Sequence, residues 1–117
     1  VASIPAFIEE TNAAVIAAVP GARPFPFGHV GDGNVHYNVS QPEGADKAAF
    51  LAQEDKVQDA VFDIVLKYGG SISAEHGIGI AKRDRLPMVK DPVAIELMRT
   101  LKAALDPNGI LNPGKVL

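Results

Sequence analysis

The chain of 117 residues contains no cysteine. A disulfide framework, a thiolate zinc site and an iron–sulfur cluster are therefore excluded, and the composition fits a reducing compartment. Positive charge is also in short supply. Eleven Lys and Arg stand against 14 Asp and Glu, for a net charge of −3 and a pI near 5.5. A general nucleic-acid or anionic-membrane binder needs a basic face, so no nucleic acid is expected as a partner. The one short basic run, Lys82, Arg83 and Arg85, reads as a solvated face. Long apolar runs are missing too. The longest, "AAVIAAV" from Ala13 to Val19, falls far short of the roughly 20 residues that span a bilayer. The residues that follow Val1 form no signal-peptide pattern, and a start at valine rather than methionine suggests a processed chain or an expressed fragment.

What remains is a 47% hydrophobic chain, suited to one small globular domain or part of a larger one. Residues 4–18 carry apolar side chains at three- and four-residue spacing and stop at Pro20-Gly21, which predicts a helix. Residues 23–30 and 35–40 are rich in aromatic and β-branched residues around "GDGN", which predicts two strands and a turn. Residues 46–68 predict a second helix closed by Gly69-Gly70. "SISAE", residues 71–75, predicts a short buried strand. Asp91 and Pro92 open a last helix as N-cap and first residue, with Ile95, Met98, Leu101 and Leu105 on its apolar face until "DPNG". The order α–β–β–α–β is that of a ferredoxin-like unit lacking its first strand. The expected fold is therefore α+β: an antiparallel sheet with helices on one face, then a C-terminal helix and tail. The missing strand leaves an edge that could pair with a second copy in a homodimer.

Two of the three histidines lie in "GHVGDGNVHYN", residues 28–38. With a four-residue loop at 31–34, His29 faces His36 across the hairpin. Opposed Cβ atoms lie about 4.5–5.5 Å apart, close enough for two imidazoles to hold one metal ion. Asn38, two residues beyond His36, points to the same face. A carboxylate from "SAEH" would complete a two-histidine, one-carboxylate site with open coordination positions. Read singly, each histidine could equally be a hydrogen-bonded structural residue. Glu75 and His76 could supply a ligand and a general base, or be a surface carboxylate and a locally bonded loop residue. Neither glycine cluster forms a dinucleotide fingerprint, no phosphate-binding loop occurs, and Ser71 and Ser73 lack a nucleophile elbow.

Three stretches in series, "GHVGDGNVHYNV", "GGSISAEHGIGIAKRDRLP" and "LDPNGILNPGKVL", resemble the C-terminal portion of FAD-linked 2-hydroxyacid dehydrogenases and oxidases. That group includes D-lactate dehydrogenases, the D subunit of glycolate oxidase and D-2-hydroxyglutarate dehydrogenase. The resemblance implies His29, His36 and Glu75 as ligands of a divalent metal, Zn or Mn, and His76 as the base that takes the substrate hydroxyl proton. It implies Asn38 as a substrate-binding residue and Asn112 in a tail that lies near the flavin. Residues 1–90 are then part of a substrate- and metal-binding cap domain, and residues 91–117 a helix and tail that return to a flavin domain. FAD would be bound mainly by that domain, in the same polypeptide or a partner chain, and these residues alone would be inactive. Ile80 and Ala81 depart from the bulkier or basic residues common at those positions. The implied location is cytoplasmic, or peripheral to the inner membrane through the electron acceptor. A reading from another class is a stand-alone metal-binding or interaction module without catalysis.

Overall fold

The computed structural model describes all 117 residues. They form two compact units, Val1–Gly70 and Ser71–Leu117, each considered by itself. The first contains α1 (Ile4–Ala18), β1 (Arg23–Phe27), β2 (His36–Ser40), α2 (Lys47–Leu51) and α3 (Glu54–Lys67). The second contains α4 (Leu86–Val89) and α5 (Pro92–Leu105). The α+β class is as expected, with one antiparallel sheet whose inner face is covered by helices. No helix is long and apolar enough to cross a membrane.

The register of the sheet follows from two prolines. β1 and β2 pair as Arg23↔Ser40, Pro24↔Val39, Phe25↔Asn38, Pro26↔Tyr37 and Phe27↔His36. Proline has no N–H, so the hydrogen-bonded pairs of the antiparallel ladder fall at Arg23, Phe25 and Phe27. Pro24 and Pro26 occupy the alternate positions, where an N–H would point to the outer edge of β1. That edge therefore cannot template another strand. The opposite edge, on β2, keeps its outward N–H groups at Tyr37 and Val39.

Alternation then separates the two faces. Tyr37 and Val39 point inward and pack on Val15, Val19 and Ala22, together with Phe50, Val57, Ala60 and Val61. The Tyr37 hydroxyl donates to Asn12 Oδ1 of α1 at 2.6 Å, and burial pushes its pKa up to about 12. The Phe7 and Tyr68 rings meet edge to face at 5.9 Å, and Lys67 pairs with Glu10, tying α1 to the end of α3. Arg23, Phe25, Phe27, His36, Asn38 and Ser40 share the outer face.

Two expectations need correction. The helix expected over 46–68 is two helices that part at Ala52-Gln53. Asp46 caps the first by accepting from Ala49 N at 2.7 Å. Glu54 and Asp55 stand in the first turn of the second, where the helix dipole favours negative charge. Its end is as expected: Gly69 lies at φ 66°, and the Gly69 and Gly70 amides bond back to Leu66 O and Val65 O, a Schellman close. The strand expected at "SISAE" is absent. Ser71 Oγ instead donates to Ser73 O and accepts from Ser73 N, and Ser73 Oγ donates to Gly77 O at 2.6 Å. These serines bond local backbone in place of a ladder, and only Ile72 of the segment is buried.

In the second unit, Asp91 caps α5 by accepting from Val93 N at 2.8 Å, with Pro92 in the first turn. Leu86 and Ile95 are buried, and they line a cleft of about 310 Å³ with Pro87, Arg99, Val116 and Leu117.

One buried group in the first unit is orphaned. Thr11 is fully buried, and its hydroxyl has no hydrogen-bond partner. Desolvating an unpaired hydroxyl costs about 1–3 kcal/mol, while valine has the same shape and a similar helix propensity. Thr11→Val should raise the unfolding free energy by about 1 kcal/mol, measured by urea denaturation; a loss of stability would show that the hydroxyl is satisfied.

Candidate metal centre

The loop between β1 and β2 runs from Gly28 to Val35 and is longer than the four residues expected from sequence. A 3-10 turn over Val30–Asp32 occupies it. The His29 carbonyl accepts from Asp32 N at 2.9 Å and Asn34 N at 3.2 Å, and Gly33 N bonds Val30 O at 3.1 Å. Gly33 at φ 77° closes the turn. Consequently His29 is not the cross-strand partner of His36; Phe27 is. The turn nevertheless folds the His29 ring back, so that the two imidazole centroids lie 6.5 Å apart at 64°.

Zn–N bonds are about 2.0–2.1 Å long, which places the centroids of two ligating rings roughly 5–6 Å apart. The pair stands slightly wider than that, with one ring nitrogen of each histidine within 4.8 Å of the other, so a small rotation of the exposed His29 ring would close it on a shared ion. His29 is exposed and His36 half-buried, so both are open to an ion arriving from solvent. Asn38, also exposed, follows on the same face of β2. Phe27 lies parallel to the His36 ring, with centroids 5.5 Å apart and planes at 15°.

In the second unit, Glu75 and His76 are adjacent and exposed on an irregular loop, so strand alternation does not force them to opposite sides. The C-terminal tail is fastened to this loop. Val116 N donates to Gly79 O at 2.8 Å, and Arg83 Nη1 donates to Gly114 O at 3.2 Å. Asn112 is exposed and left-handed at φ 49°, a conformation asparagine tolerates better than most residues. Val116 is left-handed too, at φ 70°, a strained geometry for a β-branched side chain.

Asp106 organises the approach to that tail. Its carboxylate accepts from Lys102 Nζ at 2.6 Å and from the Ile110 and Leu111 amides, each at 2.9 Å. Lys102 also reaches Leu111 O. The Lys102 hydrogen bond, helped by those of the two amides and opposed by burial, holds the Asp106 carboxyl below its ordinary value. Sequence reasoning saw "DPNG" only as a helix stop and missed this anchor. It missed Phe27 as well, because nothing short of the register shows which residue faces His36.

The structure thus brings His29, His36 and Asn38 to one face of the first unit, and sets Glu75, His76 and Asn112 on exposed loops of the second. The first unit is an α+β module with a pair of imidazoles at the outer face of its sheet. The chain belongs to the C-terminal domain family of FAD-linked oxidases, whose model matches residues 1–116. It is 47% identical over 116 residues to a D-2-hydroxyglutarate dehydrogenase of Stutzerimonas stutzeri, covering 99% of this chain and 25% of that protein. A D-2-hydroxyglutarate dehydrogenase of Xanthomonas citri is 42% identical over 116 residues, with the same coverage. The mitochondrial D-2-hydroxyglutarate dehydrogenase of Arabidopsis thaliana is 45% identical over 91 residues, 78% of this chain and 15% of that protein. The chain spans about a quarter of the length of the first two.

Two outcomes follow from this geometry. A Cβ on Gly28, at φ 150°, would lie 2.6 Å from Asn34 O and 3.1 Å from His36 N. Gly28→Ala should therefore cost on the order of 1–3 kcal/mol and shift the backbone amide resonances of residues 34–36, read by NMR; an unchanged spectrum would remove the claim that only glycine fits. For Asp106, a depressed folded pKa means that its stabilisation is complete above the unfolded value, near 3.8, and is lost as pH falls through the folded one. Hydrogen exchange at the Ile110 and Leu111 amides, corrected for intrinsic pH dependence, should show steady protection at neutral pH and a fall only below that value.

Proposed function

We propose that this chain is the substrate- and metal-binding part of an FAD-dependent oxidoreductase that converts a D-2-hydroxy acid to the 2-oxo acid. The observation that carries the reading is the His29–His36 pair beside Asn38 on the outer sheet face. Membership of the FAD-linked oxidase family supports it, as do the names of the relatives.

His29 and His36 would hold a divalent ion, Zn or Mn, through one imidazole nitrogen each, with Glu75 as the carboxylate ligand. Two neutral nitrogens and one carboxylate leave part of the coordination sphere for substrate. When bound, the ion supplies Lewis acidity toward the 2-hydroxyl and carboxylate of the substrate. His76 accepts the hydroxyl proton at a ring nitrogen, because neutral imidazole is a competent base near pH 7. Asn38 orients the substrate through its side-chain amide. FAD, bound mainly by polypeptide outside these residues, supplies the hydride acceptor for the α-carbon hydrogen.

The second unit supports the same division of labour. Val93, Leu97, Leu101 and Leu105 recur every four residues along α5, and each is more than half exposed. Ile110 and Leu111 extend this apolar surface into the tail. A flavin domain covering residues 91–117 would remove that area from water and bring Asn112 toward the flavin.

In the full polypeptide, elemental analysis should find near one equivalent of Zn or Mn. His36→Ala should lose it and lower kcat/KM for a D-2-hydroxy acid by at least about a hundredfold, the scale of losing a metal-site interaction, while bound FAD is unchanged by its absorbance. Normal turnover by His36→Ala would refute the metal role. Metal binding without flavin or turnover would favour the stand-alone module.

A further inference from the structure

The ring of Phe27 is 59% exposed, so burial in a core does not explain an aromatic residue there. Its backbone is fixed by a hydrogen-bonded pair of the ladder directly opposite His36. Its ring lies parallel to the imidazole at 5.5 Å and 15°. His29 approaches the same imidazole at 6.5 Å and 64°. A histidine side chain turns about two bonds, and confining it on metal binding costs entropy. A flat neighbour of fixed backbone removes part of that freedom before the ion arrives.

We propose that Phe27 is a positioning residue for the metal site, holding the plane of the His36 imidazole so that its ring nitrogen faces the ion. This rests on the metal reading above, and Phe27 itself touches neither ion nor substrate. The contact is a ring-on-ring stack, so a planar aromatic side chain serves and a branched aliphatic one does not. Phe25 provides the internal comparison, because it is similarly exposed on the same strand face but opposes Asn38.

The test is Zn²⁺ titration of the metal-stripped full polypeptide by calorimetry, alongside Phe27→Leu, Phe27→Tyr, Phe25→Leu and His36→Ala. Phe27→Leu should weaken Zn²⁺ binding about tenfold, equivalent to about 1.4 kcal/mol. Phe27→Tyr and Phe25→Leu should stay within about twofold of wild type, and His36→Ala should abolish binding. NMR of the metal-free protein gives a second readout: the His36 ring protons should be shifted upfield by the Phe27 ring current and should lose that shift in Phe27→Leu. Tight wild-type binding left unchanged by Phe27→Leu, or weakened equally by Phe25→Leu, would overturn the positioning role alone. A wild-type protein that binds no Zn²⁺ would overturn the metal reading and this role with it.

Discussion

The absence of an N–H on Pro24 and Pro26 governs the first unit. It leaves one ladder parity for β1 and β2, with Arg23, Phe25 and Phe27 in the hydrogen-bonded pairs. Because side chains alternate, that choice sends Tyr37 and Val39 into the core and His36 and Asn38 to the opposite face. A slip of one residue would reverse both assignments, burying the imidazole against α1 and exposing the residues that close on Val15 and Val19. The same prolines strip β1 of outward donors, so any strand added to this sheet must come to β2. Fold specificity, site placement and edge protection thus rest on one chemical fact repeated at two positions.

The second unit solves a different problem, holding an irregular chain in place without a sheet. Its serines bond local backbone between residues 71 and 77, and its tail is clasped by Val116 N on Gly79 O and by Arg83 on Gly114 O. Asp106 stitches the end of α5 to the start of that tail through two amides and Lys102. Nine acidic residues against four basic ones fall in Val1–Gly70, and five against seven in Ser71–Leu117. The mild acidity of the whole chain therefore conceals a cationic C-terminal part, in which Lys102 bonds Asp106 and Arg83, expected only on a solvated basic face, holds the Gly114 carbonyl.

Local rules made much of this legible. The first helix, the Asp91-Pro92 start of α5 and the Gly69-Gly70 close are set by neighbours within one turn, and each falls where the residues indicated. The hairpin histidines were legible as a pair because glycine and asparagine mark the turn. Their partners were not. Whether His29 or Phe27 faces His36 depends on how many residues the loop consumes, and the 3-10 turn over Val30–Asp32 takes up more than a tight hairpin would. "SISAE" misled for a related reason: a strand needs a neighbour to pair with, and serine hydroxyls supplied the backbone bonds first.

Both units expose large apolar side chains. An outer sheet face with Phe25 and Phe27 more than half exposed beside an imidazole pair, and an α5 stripe of Val93, Leu97, Leu101 and Leu105, are costly to keep in water. They have different chemistry, however. The sheet face mixes aromatic rings with imidazole nitrogens and a side-chain amide, the mixed lining common in small-ligand sites. The α5 stripe is aliphatic and regular, the lining of a packed interface. The proposed function gives each a use, substrate at the one and further polypeptide over the other.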